Sequence, residues 1–301
     1  MTDFVRPHSI VRTIWGNGDM MLLVFAGAAA EFALNRAVDW LFFTGRLPRD
    51  PIGRLFSTAA YAQQIVFADA STAARTLDRI RAAHQAVEHQ RGQEIPDWAH
   101  RDVLYMLIDY SERAHELLAR PLTPGEQREL YDVFYRVGSG LRIPDLPRTY
   151  AAWREDRELH LRRDLLWSDG TEALYAQYRN HLGPWRYQVL LMIQVILTPG
   201  HVRGLLRLKR TQWLRPLLQI YPILVRAGLR STIQRMLMPS TFLGAIRALD
   251  HPARSRRGTS SRFCPVARSR PFVRTPRSEP GSQGGGKPPH SKALRARRPL
   301  N

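Results

Sequence analysis

The spacing of apolar residues is what most limits the folds open to this chain. No stretch sustains a period-two alternation, whereas apolar residues recur every three to four positions along most of it, so strands should be few. The expected fold class is therefore all-α, a single globular helical bundle. The pattern is clearest from Asp50 to His89. Arg54, Thr58, Tyr61 and Ile65 share one face of a first helix. Ala73, Leu77, Ile80, His84 and Val87 share one face of a second, which Asp69 or Ser71 can cap.

His84 thus lies in the middle of an apolar stripe, and two readings are open. A histidine there is usually a satisfied core residue. It can also serve as an axial metal ligand, with Arg81 one turn earlier as an anchor for a haem propionate. His100 is the next candidate ligand, or else a helix-start residue with local hydrogen bonds. His115, one turn after Ser111, is expected to be partly exposed.

Elsewhere the helix signals are mostly ordinary. Asp19 can cap a helix running to about Phe43. The apolar run within it, MMLLVFAGAAAEFAL, is flanked by charge and reads as a buried pocket-lining helix, with a secretion signal as the competing reading. Asp97 can cap a helix with Val103, Leu104, Leu107, Ile108, Ala114 and Leu118 inward, stopped by Arg120-Pro121. Thr123-Pro124-Gly125-Glu126 is a capping box with proline at the first helical position. The next helix should carry Leu130, Tyr131, Phe134 and Val137 inward and end at Gly138-Ser139-Gly140. Pro147 opens another, whose run from Arg154 to Glu158 reads as a solvated charged face. A polar stretch about Ser168-Asp169-Gly170 intervenes. Three apolar helices should follow, Trp185 to Leu197, Trp213 to Leu229 and Ile233 to Leu249, with breaks at Pro216, Pro222 and Pro239. They read as core, or as helices at a membrane surface with their arginines toward headgroups.

Charge separates two regions. Lys and Arg total 45 against 26 acidic residues, a net +19. Residues 251–301 hold thirteen of the basic residues against Glu279 alone. The expected domains are a helical body over residues 1–250 and a disordered Arg/Pro/Ser/Gly-rich tail over 251–301. Nucleic-acid binding would be non-specific and confined to the tail. The single cysteine, Cys264, excludes a thiolate ligand, a disulfide framework and a Cys-rich zinc site in the body. No phosphate-binding glycine loop, nucleophile elbow, H-E-x-x-H or Rossmann fingerprint is present. No uninterrupted apolar run reaches the length of a membrane span.

Several motifs occur in a recognisable order: DPIGRLFST, VFAD and RAAH, then W-x-H at Trp98, RPLTPGE, and IPDLPRTYAAW ending at Trp153. In this order and spacing the chain resembles the rubber-oxygenase catalytic-domain family, which holds the latex-clearing proteins and the MpaB-type oxygenase that cleaves a farnesyl chain. The similarity is good over roughly residues 15–165 and looser over 185–250. The resemblance implies a b-type haem in an internal pocket, with His84 as proximal iron ligand. It places Arg54 and Thr58 as the arginine and threonine near the iron; Arg81 is added by helical geometry alone.

The resemblance further implies a haem-dependent oxygenase that uses O2 to cleave or oxygenate an apolar substrate of isoprenoid or lipid-like kind. The competing reading is a non-catalytic helical haem- or lipid-binding protein, peripherally attached to a membrane. A cytoplasmic location, with or without membrane association, fits either. Two departures from the family pattern matter. Latex-clearing proteins carry a lysine before the threonine, where this chain has Ser57, so a lysine-capped iron is not expected. The first pocket helix reads FAGAAAEFA where many members have His-Pro. The catalytic base is left unassigned, with Glu31 and Asp39 as weak candidates.

Overall fold

The computed structural model describes residues 2–38, 50–208, 221, 223–225 and 227–250. Among these the secondary structure is helical apart from two isolated antiparallel bridges, Asp3 with Asp69 and Asn35 with Leu165. The helices are α1 Ile10–Trp15, α2 Gly18–Phe32, α3 Pro51–Val66, α4 Ala70–Arg91, α5 Asp97–Leu118 and α6 Pro124–Gly140. They continue as α7 Tyr150–Arg163, α8 Asp169–Leu182, α9 Pro184–Leu197, α10 Gly200–Leu206, α11 Arg230–Leu237 and, after a 3-10 turn at Ser240–Phe242, α12 Leu243–Asp250. The all-α bundle read from the periodicity is the observed fold.

Helix α2 is the axis. Its sequence is apolar on all sides, as expected of a helix with neighbours all round, and it packs against α1, α5, α9 and α12. Its approach to α5 requires Gly27, because a methyl group there would lie 2.2 Å from the Tyr110 ring. On one side of α2 a core forms around Trp15, Phe25, Leu104, Tyr131, Phe134 and Trp153. On the other, Leu34, Leu161, Leu174, Tyr175, Tyr187 and Leu191 form a second. Gln63 of α3 joins the ends of two helices by donating to the carbonyls of Trp15 (2.7 Å) and Leu249 (2.8 Å).

Some boundaries differ from those expected. Asn17, not Asp19, caps α2, its side chain accepting from the backbone of Asp19 and Met20. The helix ends at Phe32, well before Phe43, because Asn35 turns the chain: its Oδ1 accepts from Ala37 N and its Nδ2 donates to Asp102. Helix α5 begins at Asp97 without a side-chain cap, and Val103 on it is exposed. Thr149 caps α7, two residues after Pro147. The stretch at Ser168 is itself a capping box that starts α8, a helix absent from the sequence reading. The Thr123 capping box, the break near Pro239 and the Asp69 cap are as expected. The segment Trp213 to Leu229, Asp39 and the tail from His251 fall largely or wholly outside the described residues. No helix among the described residues is long and apolar enough to cross a membrane.

Candidate functional site

Helices α3 and α4 are neighbours joined by the turn at Asp69. Asp50 starts the first by accepting from Gly53 N at 2.8 Å, and Asp69 starts the second by accepting from Thr72 N at 2.9 Å. Burial along the α4 stripe falls steadily toward its end. Ala73 and Leu77 are buried against Ile65 and Ala68, while Ile80, His84 and Val87 are only half-buried. Along the facing helix Ile65 is buried, Tyr61 half-buried, and Thr58 and Arg54 exposed. The pair is fully packed at the end near Asp69 and less buried at the other end, where His84 and Arg54 lie.

At that less buried end His84 sits beside His100 from the start of α5, ring centroids 5.0 Å apart and planes tilted by 39°. Burial drives the His84 imidazole down to a pKa of about 4, helped by His100 and Arg54 and opposed by Glu88. His100 is lowered too, again chiefly by burial. At neutral pH both rings are uncharged, the form in which imidazole binds a metal.

The other sequence candidates are less open. Thr58 Oγ1 donates to its own helix at Arg54 O (3.0 Å), as does Ser57 Oγ (2.8 Å). Arg81 pairs with Asp78 at 2.8 Å and reaches Gly140 O of α6 at 3.4 Å, away from the α3 face. His115, expected to be partly exposed, is instead 4 % exposed and hydrogen-bonds through Nδ1 to Arg120 O at 2.8 Å, closing the end of its own helix.

An apolar cavity of about 180 Å³ lies on the opposite side of α3. Ile52, Leu55 and Phe56 line it from α3, Leu22 and Ala26 from α2, and Val189 from α9. At about 100° per residue, these α3 positions lie roughly 140° around the helix from Arg54, Thr58 and Tyr61. One helix thus carries the cavity on one face and the predicted iron-side residues on the other.

Two buried polar groups escaped the sequence reading. Arg157, taken for part of a solvated face, is 2 % exposed and grips Glu31 with two bonds of 2.5 and 2.6 Å, then Asp109 at 3.0 Å. Arg113 and Tyr110 complete the cluster, bonding Asp109 at 2.8 Å and Glu31 at 3.0 Å. Burial pushes both carboxyls up. At Asp109 the two arginines outweigh it and the pKa falls, whereas at Glu31 burial prevails and the pKa rises. Held in this way, Glu31 is poorly placed to act as a catalytic base. The second group is His160, whose Nδ1 faces Asp102 and, at 3.0 Å, Asp164. These three residues have metal-ligand proximity. Their oxygens already accept from Asn35 (2.7 Å) and Arg163 (2.8 Å), so the cluster is closed by protein partners.

With fold and geometry in place, comparison with known families defines the class. Residues 12–260 match the family described as ER-bound oxygenase mpaB/B'/Rubber oxygenase, catalytic domain. The chain belongs to this oxygenase family, and the resemblance drawn from its motifs is correct. No curated protein matches the chain significantly.

Proposed function

We propose that this chain is a haem b-dependent oxygenase in which His84 ligates the iron, acting with O2 on an apolar, isoprenoid or lipid-like substrate. Membership of an oxygenase family supports the reaction class. The observation that carries the haem assignment is His84 itself, a neutral, half-buried imidazole on the apolar stripe of α4, packed beside His100 and facing the helix that carries Arg54. The residues fit the group in chemistry: a nitrogen donor free of its proton, and a cation able to meet a propionate. The haem, when bound, supplies the iron at which O2 is activated.

The remaining roles fall to the protein's own side chains. His84 would give the bond to iron through a ring nitrogen, with the His100 ring packed against it. Arg54 contributes the positive charge. Thr58 can donate outward only by giving up its bond to Arg54 O, and Arg81 is already engaged by Asp78 and Gly140 O. Ser57 has no lysine-like amine with which to cap the iron.

The test is haem retention. His84→Ala should fold yet purify with little haem and no O2 uptake, whereas His100→Ala and His115→Ala should keep most of it. Full haem content in His84→Ala, read from the visible spectrum, would refute the assignment. The apolar cavity favours a second reading, a non-catalytic haem- or lipid-binding protein with peripheral membrane contact. Steady O2 uptake with an apolar alkene distinguishes the oxygenase from the carrier.

A further inference from the structure

The cavity between α2, α3, α9 and α11 is lined almost wholly by aliphatic and aromatic side chains. At about 180 Å³ it exceeds the ~150 Å³ apolar cavities that stay dry and take up benzene-sized guests. Two charged side chains reach its lining, and they differ. Asp19 is paired, held by Arg230 at 2.5 Å and Gln234 at 2.7 Å, while Arg230 also takes Asp250 at 2.7 Å. Arg186 is half-buried. Its Nε donates to Met236 O at 3.0 Å and its guanidinium lies 4.8 Å from the Trp185 ring centroid. It meets no carboxylate among the described residues. Trp185 and Met236 beside it are exposed, so this cation marks the open end of an apolar chamber.

We propose that this cavity is a binding site for an amphiphile with an aliphatic tail and an anionic head, the tail packed along Leu22, Ala26 and Val189 and the head paired with Arg186. A half-buried guanidinium that meets no carboxylate among the described residues favours an oxyanion, which can accept charge-assisted N–H bonds from it. The tail gains by leaving water for a surface with almost no polar atoms to desolvate. The site is separate from the haem face, since α3 stands between them, and it does not depend on haem binding there.

The experiment follows fluorescence of dansyl-undecanoate with the full-length protein. Palmitate, hexadecanol and phosphatidylglycerol vesicles serve as competitors. Saturable binding is expected. Ala26→Phe and Val189→Phe, which fill the chamber from two different helices, should each weaken it about tenfold or more. Arg186→Gln should weaken palmitate about tenfold, the value of one charge-assisted pair, and leave hexadecanol within about twofold. Saturating hemin should not displace the probe. Competition by palmitate points to a free fatty acid as the source. Competition by vesicles alone, lost in Arg186→Gln, points to a lipid headgroup. Absence of binding, displacement by hemin, or binding indifferent to all three substitutions overturns the proposal.

Discussion

Replacing Arg157 by leucine tests whether the buried charge cluster is a closed electrostatic unit. The guanidinium is 2 % exposed and makes three charge-assisted bonds, two to Glu31 and one to Asp109. Without it Asp109 keeps Arg113 at 2.8 Å, but Glu31, 1 % exposed, keeps only the Tyr110 hydroxyl. Removing one partner of a buried pair typically costs about 3–5 kcal/mol, because the other charge is left without compensation. Against a total stability of about 5–15 kcal/mol that is a large share. The deficit should depend on pH. Glu31 freed of Arg157 has a pKa raised further by burial, so its proton returns as pH falls and part of the deficit disappears by pH 5. Glu31→Leu combined with Arg157→Leu should recover about 1–3 kcal/mol of the single-variant loss, the usual coupling of contacting residues. Urea denaturation followed by helical circular dichroism at pH 8 and pH 5 measures all of this. A deficit below about 1 kcal/mol, equal at both pH values, would mean that water reaches the cluster.

Two further outcomes follow from other parts of the molecule. Burial, with Asp109 adding to it, raises the Glu112 carboxyl to a pKa of about 7, and its Oε1 has no hydrogen-bond partner. An acid whose folded pKa lies above its unfolded 4.5 loses stability as pH rises through that window. Glu112→Gln should therefore stabilise by about 1–2 kcal/mol at pH 8 and by almost nothing at pH 4.5; equal effects at both, in thermal melts, would contradict the cause. Deleting residues 251–301 should leave the helical signal and melting transition unchanged, while adhesion to heparin falls sharply. Thirteen basic residues leave with only Glu279, and loss of the folded state would refute the domain boundary.

How far the sequence alone could be read depended on whether the relevant signal was local. Helices α3, α4 and α6 were legible because an aspartate or a capping box opens each one and apolar residues keep helical spacing along it. The position of His84 on the α4 stripe followed from the same spacing, but its partial burial did not, because that depends on the neighbours packed against this end of the stripe, His100 among them. Helix α8 could have been found. Ser168 and Thr171 bracket its start, and Leu174, Tyr175, Tyr178 and Leu182 form a regular buried face. Arg157 could not have been recognised from its neighbours, since Arg154, Glu155, Asp156 and Glu158 present the composition of a solvated surface. What buries it is Glu31, 126 residues away on the axial helix. The His160 cluster has the same origin, joining Asn35, Asp102 and Asp164 from three parts of the chain. The cavity is the extreme case, because its walls come from segments more than 150 positions apart and Arg186 stands out only once no carboxylate is found opposite it among the described residues. Local periodicity fixes which face of a helix is apolar. Whether that face meets another helix, a buried ion pair or an empty chamber is decided by tertiary neighbours that no window of the sequence contains.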